Sequence, residues 1–202
     1  KLKYLININS FKEYQFSPID IQVPLPKNAI NKLKEIINQF SLYKNLKIRI
    51  SDGTLLGMIR DRNLIEHDND IDFDVIWTKE SEEIIKEIAK KNSWKMIRKV
   101  SYHKKLQQLT YFDNEKIIFD FIFWMIDERF AINFSEPGHF RIMKSKFIKD
   151  LIKEEINGFD FYIPKDKDEW LVYRYGKDWH IPQSVKGDWK EDCGDLGKAW
   201  WI

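Results

Sequence analysis

The chain has 202 residues, of which 43% are hydrophobic, 33% charged and 15% aromatic. That balance excludes a disordered chain and a membrane bundle, and the length suffices for one buried core. The 34 basic and 32 acidic residues leave a net charge of +2, without the basic excess of a dedicated nucleic-acid binder, and the single Cys193 excludes an intrachain disulfide framework and a cysteine-rich zinc site.

Residues 28–40 read as a helix, because Ile30, Leu33, Ile36, Ile37 and Phe40 recur on one face. A short strand over 46–50 runs into a turn at Ser51-Asp52-Gly53, and a second helix is expected over 54–62. The polar stretch 63–69 reads as a loop, and 70–77 alternates as a half-buried strand does. Ser81 is the expected N-cap of a helix through Lys91. Strands are expected over 94–100, 106–112 and 116–126, the last two joined by a turn at Asp113-Asn114. The lysine-rich stretch 144–153 has helical spacing and reads as a solvated face. Asn157-Gly158 between apolar alternations signals a hairpin. Asp166 and Glu169 resemble a capping box for a helix that ends at Gly176, and the segment beyond reads as irregular. The most apolar run, 117–126, is too short to span a bilayer and carries Asp120. No repeat or linker interrupts this order, so one domain is expected over 1–202. Its core covers about 26–182 and an aromatic-rich extension about 183–202. The chain opens on Lys1 rather than Met and is expected to be a piece of a longer protein.

The chemistry is concentrated between Ser51 and Asp74, where Asp52, Asp61, Glu66, Asp68, Asp70 and Asp72 crowd together. On a strand Asp70, Asp72 and Asp74 share one face, and Ile71, Phe73 and Val75 the other. Like charges so close are unfavourable unless a cation neutralises them, and carboxylates suit Mg²⁺ or Mn²⁺. Such carboxylates serve one ion, or two spaced roughly 3.5–4 Å apart for displacement at phosphorus. Asp120 is the candidate third ligand, since a lone Asp inside an apolar strand is costly unless paired or metal-bound. Gly53 allows close backbone approach, Thr54 is positioned to cap the following helix, and Arg60 is a candidate phosphate contact. The four histidines, His67, His103, His139 and His180, show no metal-ligand spacing. Solvated loops remain the competing reading for Asp61, Glu66 and Asp68. A core role competes with ligand binding for the aromatics Tyr173, Tyr175, Trp179, Trp189, Trp200 and Trp201.

Gly53-Thr54-Leu55-Leu56-Gly57, Arg60, Ile65 and Asp68-Asn69-Asp70-Ile71-Asp72 resemble the signature of the LicD family, the phosphocholine transferase family that includes fukutin and fukutin-related protein. Tyr175-Gly176-Lys177-Asp178-Trp179 and Pro182 are similar to that family's C-terminal motif, so the resemblance covers about 46–182. Glu66-His67 stands where the family commonly has Pro-Trp, and Asn69 interrupts an acidic run that is often continuous. The resemblance implies an α+β nucleotidyltransferase fold of the DNA polymerase β type, with a mixed central sheet flanked by helices. It implies Asp70, Asp72 and Asp120 as metal-binding and catalytic residues. Ser51, Asp52, Gly53, Thr54 and Arg60 would bind phosphate or nucleotide, and Asp68, Tyr175, Asp178, Trp179 and His180 are weaker substrate contacts.

The implied reaction uses Mg²⁺ or Mn²⁺ to transfer a phospho-alcohol from CDP-choline, CDP-glycerol or CDP-ribitol. The acceptor is a hydroxyl of a bacterial surface glycan (capsule, lipooligosaccharide or teichoic acid), and CMP is released. No nucleic-acid partner is expected. The expected location is cytoplasmic, with the inner face of the bacterial membrane as a place of peripheral association. Two rivals stand beside this reading: a nucleotidyltransferase moving a nucleoside monophosphate onto a small molecule, and a non-catalytic carbohydrate-binding module.

Overall fold

A computed structural model of the protein describes residues 11–15, 24–136, 139–182 and 196–198. It is a mixed α+β structure. The described elements in chain order are β1 (Phe11–Gln15), α1 (Ala29–Phe40), β2 (Ile48–Ile50), α2 (Asp52–Arg60), β3 (Asp70–Ile76), α3 (Lys79–Lys91), β4 (Lys95–Tyr102) and β5 (Lys105–Phe112). They continue as β6 (Ile118–Ile126), β7 (Phe130–Glu136), β8 (His139–Lys144), α4 (Lys146–Lys149), β9 (Leu151–Ile156), β10 (Phe159–Pro164), α5 (Lys167–Tyr175) and β11 (Leu196–Lys198).

The main sheet is built around β6. Along Ile118–Ile122 it lies between antiparallel β5 and parallel β3, and its last residues, Met125 and Ile126, pair with β7. The order β1-β4-β5-β6-β7-β8-β11 runs one way, and β3 carries β2 as a short edge strand. The β9–β10 hairpin forms a separate two-stranded sheet.

The alternation of β3 decides which face is dry. Ile71, Phe73 and Val75 are fully buried; Phe73 stacks on Phe121, with ring centroids 5.2 Å apart. Phe40 of α1 meets Phe73 edge-on at 5.2 Å. This aromatic contact seats α1, through Leu33, Ile36, Ile37 and Phe40, against the sheet. Ile84, Ile85 and Ile88 of α3 join the same core.

Several sequence expectations change. Ser51-Asp52-Gly53 is no free turn: Ser51 is the N-cap of α2, and Asp52 and Gly53 are its first residues. Thr78, not Ser81, caps α3. Ser81 sits three residues inside, where its hydroxyl returns the bond to the Thr78 N–H, so the box uses Ser where Glu is usual. The 144–153 stretch is no helix but the end of β8, the four-residue α4 and the start of β9. Its lysine spacing reflects exposure on a bent segment rather than one helical face. Asp166 and Glu169 form no capping box; Lys146 draws both carboxylates, at 2.5 and 2.6 Å. The tail contributes β11, which pairs with β8, within an extension expected to be irregular. The hairpin at Asn157-Gly158 stands as expected, with φ of 54° and 73°, both in the left-handed region that Asn and Gly tolerate.

Candidate active site

The β2–α2 junction is laced to β3. The Ser51 N–H donates to the Asp72 carbonyl at 3.0 Å, and the Asp72 N–H donates to Thr54 Oγ1 at 2.8 Å. Thr54 is therefore not the helix cap expected of it; its hydroxyl holds the Asp72 peptide against the start of α2. Gly53 lies beneath the acidic cluster. A Cβ there would sit 2.3 Å from Asp68 Oδ2 and in ordinary contact, at 3.7 Å, with Asp72 Oδ2, so glycine lets the Asp68 carboxylate lie over the helix start in its present position.

Asp70 and Asp72 project from β3, and Asp120 from the neighbouring parallel strand at the position paired with Asp72. One carboxylate oxygen from each of the three falls within 4.8 Å of the others. Asp120 is held from its other side by β5: Gln108 Nε2 donates to both its oxygens, at 2.9 and 2.6 Å, and Thr110 Oγ1 donates at 2.8 Å. Burial raises the pKa values of Asp70 and Asp72 well above the usual carboxylate range, and the charges of neighbouring carboxylates raise them further. Asp120 is raised by burial, against the Gln108 and Thr110 hydrogen bonds and the Arg98 charge. Asp68 is raised by burial and hydrogen-bonds Asp70. These three hard oxygen donors fit Mg²⁺ or Mn²⁺, whose charge would relieve their repulsion.

Asp52 faces a different partner set. Arg141 of β8 donates to both its oxygens at 2.9 Å, and Arg174 of α5 donates from Nε at 2.7 Å. Burial alone would push Asp52 up, but the two guanidiniums outweigh it and hold the carboxyl well below its usual range. Asp52 also has a φ of 38°, a conformation that the surrounding cluster holds in place. It is an anchor for two arginines rather than a group aimed at phosphate. Tyr175 lies in the same neighbourhood, its hydroxyl raised by burial and by the Asp52 charge.

Arg60 does not reach toward the carboxylates. Its guanidinium forks onto Asp61 at 2.8 and 2.6 Å. Asp74 leaves the acidic face for the core. It is 1% exposed, pairs with Arg49 at 2.5 Å and accepts from Trp124 Nε1 at 2.7 Å, while Arg49 lies over the Trp170 ring at 4.6 Å. Trp179 is half-buried against the core, and Asp178 and His180 are exposed. Trp189, Cys193, Trp200 and Trp201 lie outside the described residues.

Sequence reasoning missed Gln108, Thr110, Arg141 and Arg174. The first two had a signal, since they alternate with Leu109 and Tyr111 on one strand. Arg141 and Arg174 lie 89 and 122 residues from Asp52, and no local pattern links them.

Comparison with known proteins adds three findings. Curated protein sequences give no significant match. Among solved structures, the crystal structure of the lincosamide antibiotic adenylyltransferase LnuA, lincomycin-bound, aligns with a TM-score of 0.49 and 10% identity, over 75% of this chain and 87% of that one. The model of the LicD/FKTN/FKRP nucleotidyltransferase domain matches residues 45–166. That span holds the β2–α2 junction, Asp70, Asp72, Asp120 and the strand that positions it, and the chain belongs to the LicD family.

Proposed function

We propose that this protein is a metal-dependent phosphotransferase. It moves a phospho-alcohol (phosphocholine, glycerol phosphate or ribitol phosphate) from a CDP-activated donor to a glycan hydroxyl and releases CMP. Family membership supports an enzyme of phosphotransfer or nucleotidyltransfer chemistry. The observation that carries the finer reading is the convergence of Asp70, Asp72 and Asp120 within 4.8 Å, beside the start of α2 at Gly53.

In this reading the domain spans 1–202 with a polymerase β-type nucleotidyltransferase fold, and Asp70, Asp72 and Asp120 hold Mg²⁺ or Mn²⁺. When bound, the cation supplies neutralisation of charge on the diphosphate. The chain's own residues do the rest. Asp120, aligned by Gln108 and Thr110, keeps a lone pair beyond those three bonds and takes the proton from the acceptor hydroxyl. Backbone N–H groups at Gly53 and Thr54 bind phosphate oxygens. Arg141 and Arg174, two guanidiniums sharing the single Asp52 carboxylate, supply the nearby positive charge, whereas Arg60 has Asp61 to itself. Tyr175, with Asp68 beside the carboxylates, borders the donor. Asp178, Trp179 and His180 stay weaker candidates for contact with the glycan.

The test is CMP release from CDP-choline, CDP-glycerol and CDP-ribitol with Mg²⁺ or Mn²⁺ and a glycan acceptor extract. Metal-dependent CMP from one donor, reduced at least about a hundredfold by Asp70→Asn, is the expected result. Pyrophosphate release from a nucleoside triphosphate, with no CMP from any CDP donor, would instead establish the nucleotidyltransferase reading.

A further inference from the structure

A cavity of about 320 Å³ lies between the α1–β2 loop, β2 and the β9–β10 hairpin, and Arg49, which pairs with Asp74, is among its lining residues. Phe73, which lines it, alternates with Asp72 and Asp74 and so faces the opposite way. Its size is at the lower end of small-molecule sites, about 300–1,000 Å³. The floor is apolar: Phe40, Ile48 and Phe73 are each at most 6% exposed. At the rim stand Lys44, Lys47 and Lys149, and no Asp or Glu is among the lining residues. Lys149 donates to the Asp127 carbonyl. Lys44 and Lys47 have no hydrogen-bond or ion-pair partner among the described residues, as is true of several other surface lysines. One exposed aromatic group, Tyr162 at 40%, is among the lining residues.

We propose that this cavity binds an amphipathic anion, with an alkyl or acyl body on the apolar floor and a phosphate or carboxylate head against Lys44 and Lys47. An apolar floor without cations would take a neutral ligand, and lysines without a floor would bind counterions only. Here both occur at one opening, and the lining carries no opposing carboxylate. The head group belongs either to a free amphiphile or to a membrane lipid. The site stands independently of the transferase reading, because none of the three clustered aspartates lines it.

Calorimetric titration of the full chain with octyl phosphate, below its micellar concentration, tests the proposal. Inorganic phosphate and octanol serve as head-only and tail-only controls. Saturable binding of octyl phosphate is expected, at least about tenfold tighter than either control. Lys44→Ala with Lys47→Ala should weaken it about tenfold, and Leu151→Trp, which fills the cavity, should abolish it. If Leu151→Trp lowers the melting temperature enough to obscure the result, Ser41→Trp, at an exposed position of the lining, blocks the mouth instead. Asp70→Asn should bind octyl phosphate as the native chain does, which separates this site from the transferase centre. Phosphatidylcholine vesicles with and without phosphatidylglycerol identify the source. Vesicle binding that octyl phosphate displaces assigns a membrane lipid, and octyl phosphate binding alone assigns a free amphiphile. Vesicle binding without octyl phosphate binding, or binding that neither the lysine nor the cavity-filling variants affect, overturns the proposal.

Discussion

Two carboxylates on one strand face and a third on the next strand repel one another in the folded protein and not in the unfolded chain. Burial first, and that repulsion next, make Asp70 and Asp72 hold protons to higher pH when folded than when unfolded. Between the ordinary carboxylate range and those raised values the native state binds more protons, so metal-free stability falls as pH rises. Thermal melts of the metal-free protein from acid to neutral pH should show that decline, and Mg²⁺ or Mn²⁺ should reduce it by binding the ionised native form. Asp72→Asn removes one of the repelling charges, and its metal-free melting temperature at neutral pH should equal or exceed that of the native chain while the shift on adding metal disappears. The partner of this cluster is equally specific. Gln108 and Thr110 touch Asp120 and no other of the three carboxylates by hydrogen bond, so they act by orienting it. Gln108→Ala with Thr110→Val should lower kcat by about ten- to a hundredfold, with little change in donor KM. Thr110→Ser, which keeps the hydroxyl, should restore most of the loss contributed by that position.

At the scale of elements, α2 is short and carries its two glycines for different neighbours. Gly53 makes room for carboxylates; Gly57 makes room for the α2–β3 loop. A Cβ at residue 57 would lie 2.6 Å from the Asn63 carbonyl and 3.0 Å from Ile65. The Asp61 and Asn63 N–H groups both donate to the Gly57 carbonyl, so the chain turns tightly here before β3. Backbone cannot yield as a flexible side chain does. Gly57→Ala should therefore cost about 1–3 kcal/mol despite the higher helix propensity of alanine, as read from denaturant unfolding. It should also displace the Asp68 loop and lower activity. The loop is held at its far side by the Asp68 carbonyl, which accepts from the Leu25 N–H at 2.8 Å.

Across the whole molecule, Asp52 joins three parts of the chain that are remote in sequence: the start of α2, β8 and α5. Two arginines on one largely buried carboxylate leave an excess positive charge next to the acidic centre, a suitable place for a diphosphate. Asp52→Asn would leave both guanidiniums with a neutral partner. It should destabilise the protein by about 3–5 kcal/mol, measured by urea unfolding. Arg141→Lys, which retains the charge but replaces the longer, planar guanidinium, should raise donor KM with a smaller cost in stability. Arg49–Asp74–Trp124 is a second buried polar cluster on this face. It explains why the third aspartate of an apparently uniform row belongs to the core: the neighbouring edge strand places an arginine directly opposite it.

Local pattern was enough for α1, β3, the β9–β10 hairpin and the acidic pair Asp70 and Asp72, because period, turn chemistry and like-charge crowding are properties of neighbouring residues. It also singled out Asp120, since an isolated carboxylate in an apolar strand needs a partner wherever that strand lies. The helix caps, the β7–β8 pair and the partners of Arg60, Asp74 and Asp166 were decided by tertiary structure. Apart from the strand pair, a charged or hydroxyl group in these cases had more than one possible partner, and only the folded chain set which one was within hydrogen-bond distance. The arginines on Asp52 are the extreme case: at separations of 89 and 122 residues their encounter depends on how the sheet and α5 pack, a long-range outcome that no local window contains.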